Sequence, residues 1–106
     1  MEERTQKALE YLQENEQNMI ETWQNIVSIE SRSQEKEAVN KIMAHLDTYC
    51  DALQMQRKII GFENAGSSFV AATESGPQKP IALLGHVDTV FGHADRFGFR
   101  RFLCFE

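Results

Sequence analysis

Ile81-Ala82-Leu83-Leu84-Gly85-His86-Val87-Asp88-Thr89-Val90 is an apolar run that stops at a glycine and then presents a histidine and an aspartate two residues apart. Four consecutive aliphatic residues after Pro80 predict a strand covered on both faces, because such strands are unbroken apolar stretches rather than alternating ones. If the backbone stays extended through Gly85, His86 and Asp88 project to one side, since strand residues two apart share a face. There the carboxylate can accept the hydrogen bond of the imidazole nitrogen that does not bind metal, which fixes the tautomer and makes the ring a better ligand. His86 is therefore a candidate metal ligand and Asp88 its orienting partner. The tripeptide alone also fits a blander alternative, a strand-end histidine beside a solvated aspartate.

Immediately upstream, Glu74-Ser75-Gly76-Pro77-Gln78-Lys79-Pro80 is expected to be a loop, because its prolines and glycine do not continue a ladder. Before it, Ser67 to Thr73, centred on Phe69-Val70-Ala71-Ala72, predicts a strand entered from the turn residues Asn64-Ala65-Gly66. Met55, Arg57, Ile59 and Gly61 alternate with Gln56, Lys58, Ile60 and Phe62, which predicts an earlier strand with one partly exposed face near a sheet edge.

The first half of the chain is helical in pattern. Ala38, Val39, Ile42, Met43, Leu46, Tyr49, Cys50 and Leu53 form a stripe over about 34–53, with Glu35 and Glu37 in the first turns, where carboxylates suit the helix dipole. His45 lies beside the stripe and is expected at the surface or its boundary, with Asp47 and Asp51 pointing elsewhere. Ser31 or Ser33 is placed to accept hydrogen bonds from the amides that open this helix. Ala8, Leu12, Met19, Trp23, Ile26 and Val27 predict a longer helix over about 3–29, interrupted by the polar pair Asn15-Glu16 at a break or an exposed first half. Trp23, on the stripe, is expected in the core. Two helices and then three strands without internal repeats make an α/β arrangement.

Composition narrows the function classes. The 106 residues have room for one small domain, which buries roughly two-thirds of its unfolded surface. Hydrophobic and charged contents of 42% and 25% are those of an ordinary globular chain. A net charge of -5 argues against nucleic acid as a partner, because phosphate binding calls for a basic patch. The acid is concentrated early, with nine acidic and four basic residues from Met1 to Glu37, as on the solvated face of a helix. No run reaches the length of a membrane span, and Met1 to Gln6 lacks the apolar core of a secretory leader, so the expected setting is cytoplasmic, without a membrane partner. Cys50 and Cys104 are expected as free, reduced thiols, with Cys50 packed as a small hydrophobe.

The strand-Gly-His-x-Asp-Thr-Val context of 81–90 closely resembles the first metal-binding motif of the zinc-dependent peptidase family of glutamate carboxypeptidase, aminoacylase, succinyl-diaminopimelate desuccinylase and tripeptidase. Asn25-Ile26-Val27-Ser28-Ile29-Glu30-Ser31-Arg32-Ser33 is similar to the end of that family's first helix and the serine-containing turn after it. The two matches lie at about the family's usual separation, and the resemblance covers most of the chain, to about Phe91. It implies that residues 1–91 are the amino-terminal portion of a zinc-peptidase catalytic domain, two helices followed by about three strands of a mixed sheet. For the complete enzyme it implies hydrolysis of peptide or N-acyl amino acid amide bonds, with a small peptide or N-acyl amino acid as substrate. Two zinc ions are implied, with cobalt or manganese as alternatives, and a homodimer is one arrangement open to that enzyme. His86 is implied as a metal ligand and Asp88 as the catalytic-site residue supporting it.

Most of the family's chemistry has no counterpart here. The family's second aspartate, which bridges the two ions, its Glu-Glu pair, which supplies a base and a ligand, and its later acidic and histidine ligands match no position of the 106 residues. A catalytic zinc takes about three protein ligands and keeps an open position, and a two-metal mechanism must clamp both the attacking water and the carbonyl oxygen. His86 alone does neither, so the isolated chain is expected to be inactive. A self-contained alternative adds His93 and Asp95 to His86 and Asp88, on a loop with nothing regular to fix it.

Residues 92–106 are an atypical aromatic and basic tail. Residues 91–106 hold five of the seven phenylalanines. Asp95 to Arg100 faintly resembles the aromatic segment that follows the family motif, and the loss of resemblance after Arg100 suggests a frameshift or truncation without a function of its own. Phe97, Phe99, Phe102 and Phe105 also motivate a non-catalytic binding or assembly module, with self-association or aggregation as its consequence.

Overall fold

The computed structural model describes residues 2–74 and 76–90. They form a mixed α/β structure of three helices and one two-stranded antiparallel sheet: α1 Glu3–Glu14, α2 Glu16–Val27, α3 Lys36–Ala52, β1 Gln56–Ile60 and β2 Ser68–Ala72. The chain divides into two compact units, whose described parts are residues 2–28 and 29–90. Cys104, His93, Asp95 and the aromatic tail lie outside the described residues.

In the first unit the expected long helix is two helices, parted at Asn15. The Asn15 side-chain amide donates to the Tyr11 carbonyl oxygen at 2.9 Å, and this competition between a short polar side chain and the helix backbone is why asparagine marks helix ends. Trp23 corrects its expectation of burial. It is 62% exposed and lines an open groove of about 400 Å³ with Tyr11, Met19 and Ile26. An amphipathic stripe records what a helix could bury, and neither α1 nor α2 contains a buried residue.

In the second unit α3 packs on both strands. Val39 and Ile42, three apart on one face of α3, are the buried apolar residues among those described. The β1–β2 connection is fastened to the first turns of this helix. Lys36 Nζ donates to the Glu63 carbonyl oxygen at 3.0 Å, and the Ser67 amide donates to Asn40 Oδ1 at 2.7 Å. Gly66 is required there, because a Cβ would overlap Cβ and Cγ1 of Val39. Further along α3, Arg57 Nε donates to Asp47 Oδ1 at 2.6 Å and its Nη2 reaches Asp51 Oδ1 at 3.3 Å. The two aspartates hold the guanidinium's pKa above its usual value, Asp47 chiefly through its hydrogen bond. Helix α3 closes on Gln54 in the left-handed region, φ 55°. The amides of Gln54 and Met55 donate to the carbonyl oxygens of Asp51 and Cys50 at 2.9 Å each, which is the Schellman pattern.

The hairpin pairs Gln56 with Ala72 and Ile60 with Ser68. Phe69 and Ala71 of β2 are half-buried, whereas all five residues of β1 are exposed, so β1 is an edge strand as expected but is exposed beyond the one partly exposed face its alternation predicts. The third expected strand is absent among the described residues: 81–88 carries no regular secondary structure, and Ile81, Leu83 and Leu84 are 90%, 94% and 97% exposed. A strand takes its backbone hydrogen bonds from neighbouring strands. Each strand of this two-stranded sheet keeps a free outer edge, but among the described residues 81–84 pair with neither edge and have no covering layer.

Candidate metal-ligand corner

The two stretches singled out above meet in the second unit. Arg32 and Thr89 form a parallel bridge, in which the Thr89 amide donates to the Ser31 carbonyl oxygen at 2.9 Å and the Ser33 amide donates to the Thr89 carbonyl oxygen at 2.8 Å. Ser31 Oγ donates to the Val87 carbonyl oxygen at 2.7 Å, and Ser33 Oγ to the Thr89 carbonyl oxygen at 3.0 Å. Ser31, at 3% exposure, is the buried polar residue among those described. The expectation that one of these serines caps the following helix is thereby corrected. The α3 N-cap is Glu35, which makes no side-chain capping bond, and both hydroxyls are directed instead to the 87–89 backbone.

His86 Nδ1 lies 3.1 Å from Asp88 Oδ1 and 3.1 Å from the Asp88 carbonyl oxygen. The predicted pairing of ring and carboxylate is formed, although no regular strand carries it. With Nδ1 as the donor, Nε2 keeps its lone pair, on a side chain that is 83% exposed. The Asp88 carboxyl titrates below its usual range, chiefly because the Ser33 hydroxyl stands beside it; burial opposes this, and the bond to His86 adds a lesser lowering. The Ser33 hydroxyl has one proton to donate, so it serves either the Thr89 carbonyl oxygen or the Asp88 carboxylate at any instant.

The donors fit one ligand and its support. Among the described residues no group of three or more histidine, cysteine, aspartate or glutamate side chains could hold a metal ion. A complete zinc site takes three or four ligands, so the described residues do not fit a whole site and no catalytic step is assigned to a metal here. His45 is half-buried, with Nε2 2.9 Å from the Tyr49 hydroxyl and the two rings edge to face at 5.0 Å. Asp47 and Asp51 are engaged with Arg57. Cys50 is a half-buried free thiol. Among the described residues no helix is long and apolar enough to cross a membrane.

Searches of this chain against protein-family models, curated proteins and solved structures return no match. What the sequence reading missed is the partnership of the serines with residues 87–89. The spacing offered a signal for it, since Ser31-x-Ser33 repeats at the interval of Val87-x-Thr89.

Proposed function

We propose that this chain carries one metal-ligand corner of a zinc-dependent metallopeptidase or amidohydrolase catalytic domain, acting on peptide or N-acyl amino acid amide bonds. One observation carries the reading. The Ser31–Ser33 turn and the Gly85–Val90 motif, distant in sequence, lie side by side, and His86 Nδ1 is engaged by Asp88 so that Nε2 remains available. In this reading His86 is the metal ligand, and Asp88 holds the ring in the Nδ1–H tautomer and raises its basicity. The other ligands and the general base come from elsewhere in a complete site, and the 106 residues alone do not hydrolyse substrate. A free thiol at Cys50 is compatible with a reducing, cytoplasmic setting.

The coding DNA downstream of the Glu106 codon tests this reading. It is supported if any frame there encodes an aspartate in a glycine-rich segment followed by a Glu-Glu pair, and overturned if none does. Inactivity of the isolated chain is tested separately, with a dipeptide and an N-acetyl amino acid offered to pure protein in zinc. Chelator-sensitive turnover would contradict it.

A second reading, a non-catalytic assembly module, is favoured by the exposure of Ile81, Leu83 and Leu84, since contiguous exposed apolar residues mark interfaces or aggregation sites. Light scattering that reports a monomer across the accessible concentration range would exclude it.

A further inference from the structure

We propose that Ser31 and Ser33 are positioning residues, a two-hydroxyl register lock that fixes which face of the 86–90 segment presents His86 and Asp88. Along an extended segment, alternate residues turn their backbone groups toward a given neighbour while the side chains alternate between faces. Val87 and Thr89 give their carbonyl oxygens to the 31–33 turn, which leaves His86 and Asp88 as the alternate set. A slip of one residue would exchange the sets and carry both side chains to the opposite face.

The backbone resists such a slip weakly. A single bridge with two amide hydrogen bonds joins the segments, and 81–88 has no ladder of its own to hold it in register. The hydroxyls supply the missing constraint. They are two residues apart, as are the carbonyl oxygens they meet, at 2.7 Å and 3.0 Å. The Ser31 hydroxyl is buried, so a slipped register would have to re-satisfy it away from water or bear the cost of an unpaired polar group. The lock stands on this geometry alone. Its meaning for a metal rests on His86 being a ligand, as proposed above.

The test uses the full chain without metal or substrate, so its outcome is independent of whether the hydrolase reading holds. Amide hydrogen exchange is followed by NMR at Thr89 and Ser33, and the tautomer of His86 by its ring nitrogen shifts at a fixed pH where the ring is neutral. Ser31→Ala and Ser33→Ala are each expected to speed Thr89 exchange by about 2- to 12-fold, the range for loss of one hydrogen bond. Both should move His86 from mainly Nδ1–H toward a mixture of tautomers, while the α3 amides keep their wild-type rates. Ser33→Thr, which keeps a hydroxyl at an exposed position, should restore both readouts. Unchanged Thr89 exchange and an unchanged His86 tautomer in the alanine variants would overturn the proposal. So would equal acceleration of the α3 amides, which would reduce the serines to general supports of the fold. If Ser31→Ala unfolds the chain, the Ser33→Ala and Ser33→Thr pair decides.

Discussion

Ile42→Ala and Leu84→Ala each delete three carbons from a branched aliphatic side chain, and they should have opposite outcomes. Ile42 of α3 is 2% exposed, whereas Leu84 is 97% exposed. For Ile42 the transfer loss is about 2.4 kcal/mol at about 0.8 kcal/mol per carbon. Incomplete collapse of the cavity brings the total to about 3 kcal/mol, within the range of about 2–5 kcal/mol for such truncations. That is a large share of stability for a chain whose described core holds two buried apolar residues, since small domains lie near about 5 kcal/mol. The midpoint of thermal unfolding should fall by about 12–24 °C, at about 4–8 °C per kcal/mol for a domain near this size. For Leu84→Ala the change should stay within about 0.5 kcal/mol. Urea melts followed by far-UV circular dichroism give both values, with equal slopes as the check that the unfolded states match. A Leu84→Ala variant as destabilised as Ile42→Ala would show that 81–84 is packed after all, and would refute the account of that segment.

Gly66→Ala should destabilise by about 1–3 kcal/mol through overpacking against Val39, and adding Val39→Ala should remove most of that penalty, as a double-mutant cycle of melts would show. Gln54→Gly should stabilise by about 0.5–1 kcal/mol, because a side chain is held in the left-handed region at the Schellman cap; a loss of stability in the same melts would refute the strain. The Asp88 carboxyl pKa is lowered in the folded state from an ordinary 3.8, so its stabilising contribution is fully present above that value and lost as pH falls through the folded one. Carbon-13 shifts of the Asp88 carboxyl should titrate below 3.8 in wild type and move upward in Ser33→Ala. An unchanged titration in that variant would remove Ser33 as the main cause.

The helices and the hairpin were legible because their signals are local. The stripe over 34–53 and the alternation over 55–62 depend on residues within a turn or two of one another, and Lys36–Ala52 and Gln56–Ile60 lie inside those bounds. The break at Asn15 was visible for the same reason. The run 81–84 was misread because its pattern states only that these side chains could be buried between layers. A third strand needs a neighbour with free backbone groups and a covering layer, which no local pattern supplies. Trp23 repeats the lesson on a helix. At the site, the pairing of His86 with Asp88 was legible as an i, i+2 relation and survives without a regular strand. The serines were read as helix caps because caps are the commonest local use of serine before a helix, whereas their actual partners are 56 positions away.

The central claim is that Asp88 holds the His86 ring so that Nε2 is the nitrogen free to take a metal. Long-range proton–nitrogen correlation spectra of the wild-type chain, recorded at neutral pH before and after addition of zinc, test it most directly. The account predicts a proton on Nδ1 before zinc and a shift of the Nε2 resonance on its addition, lost in His86→Gln and weakened in Asp88→Ala. A proton resident on Nε2, or zinc taken up at Nδ1, would contradict it.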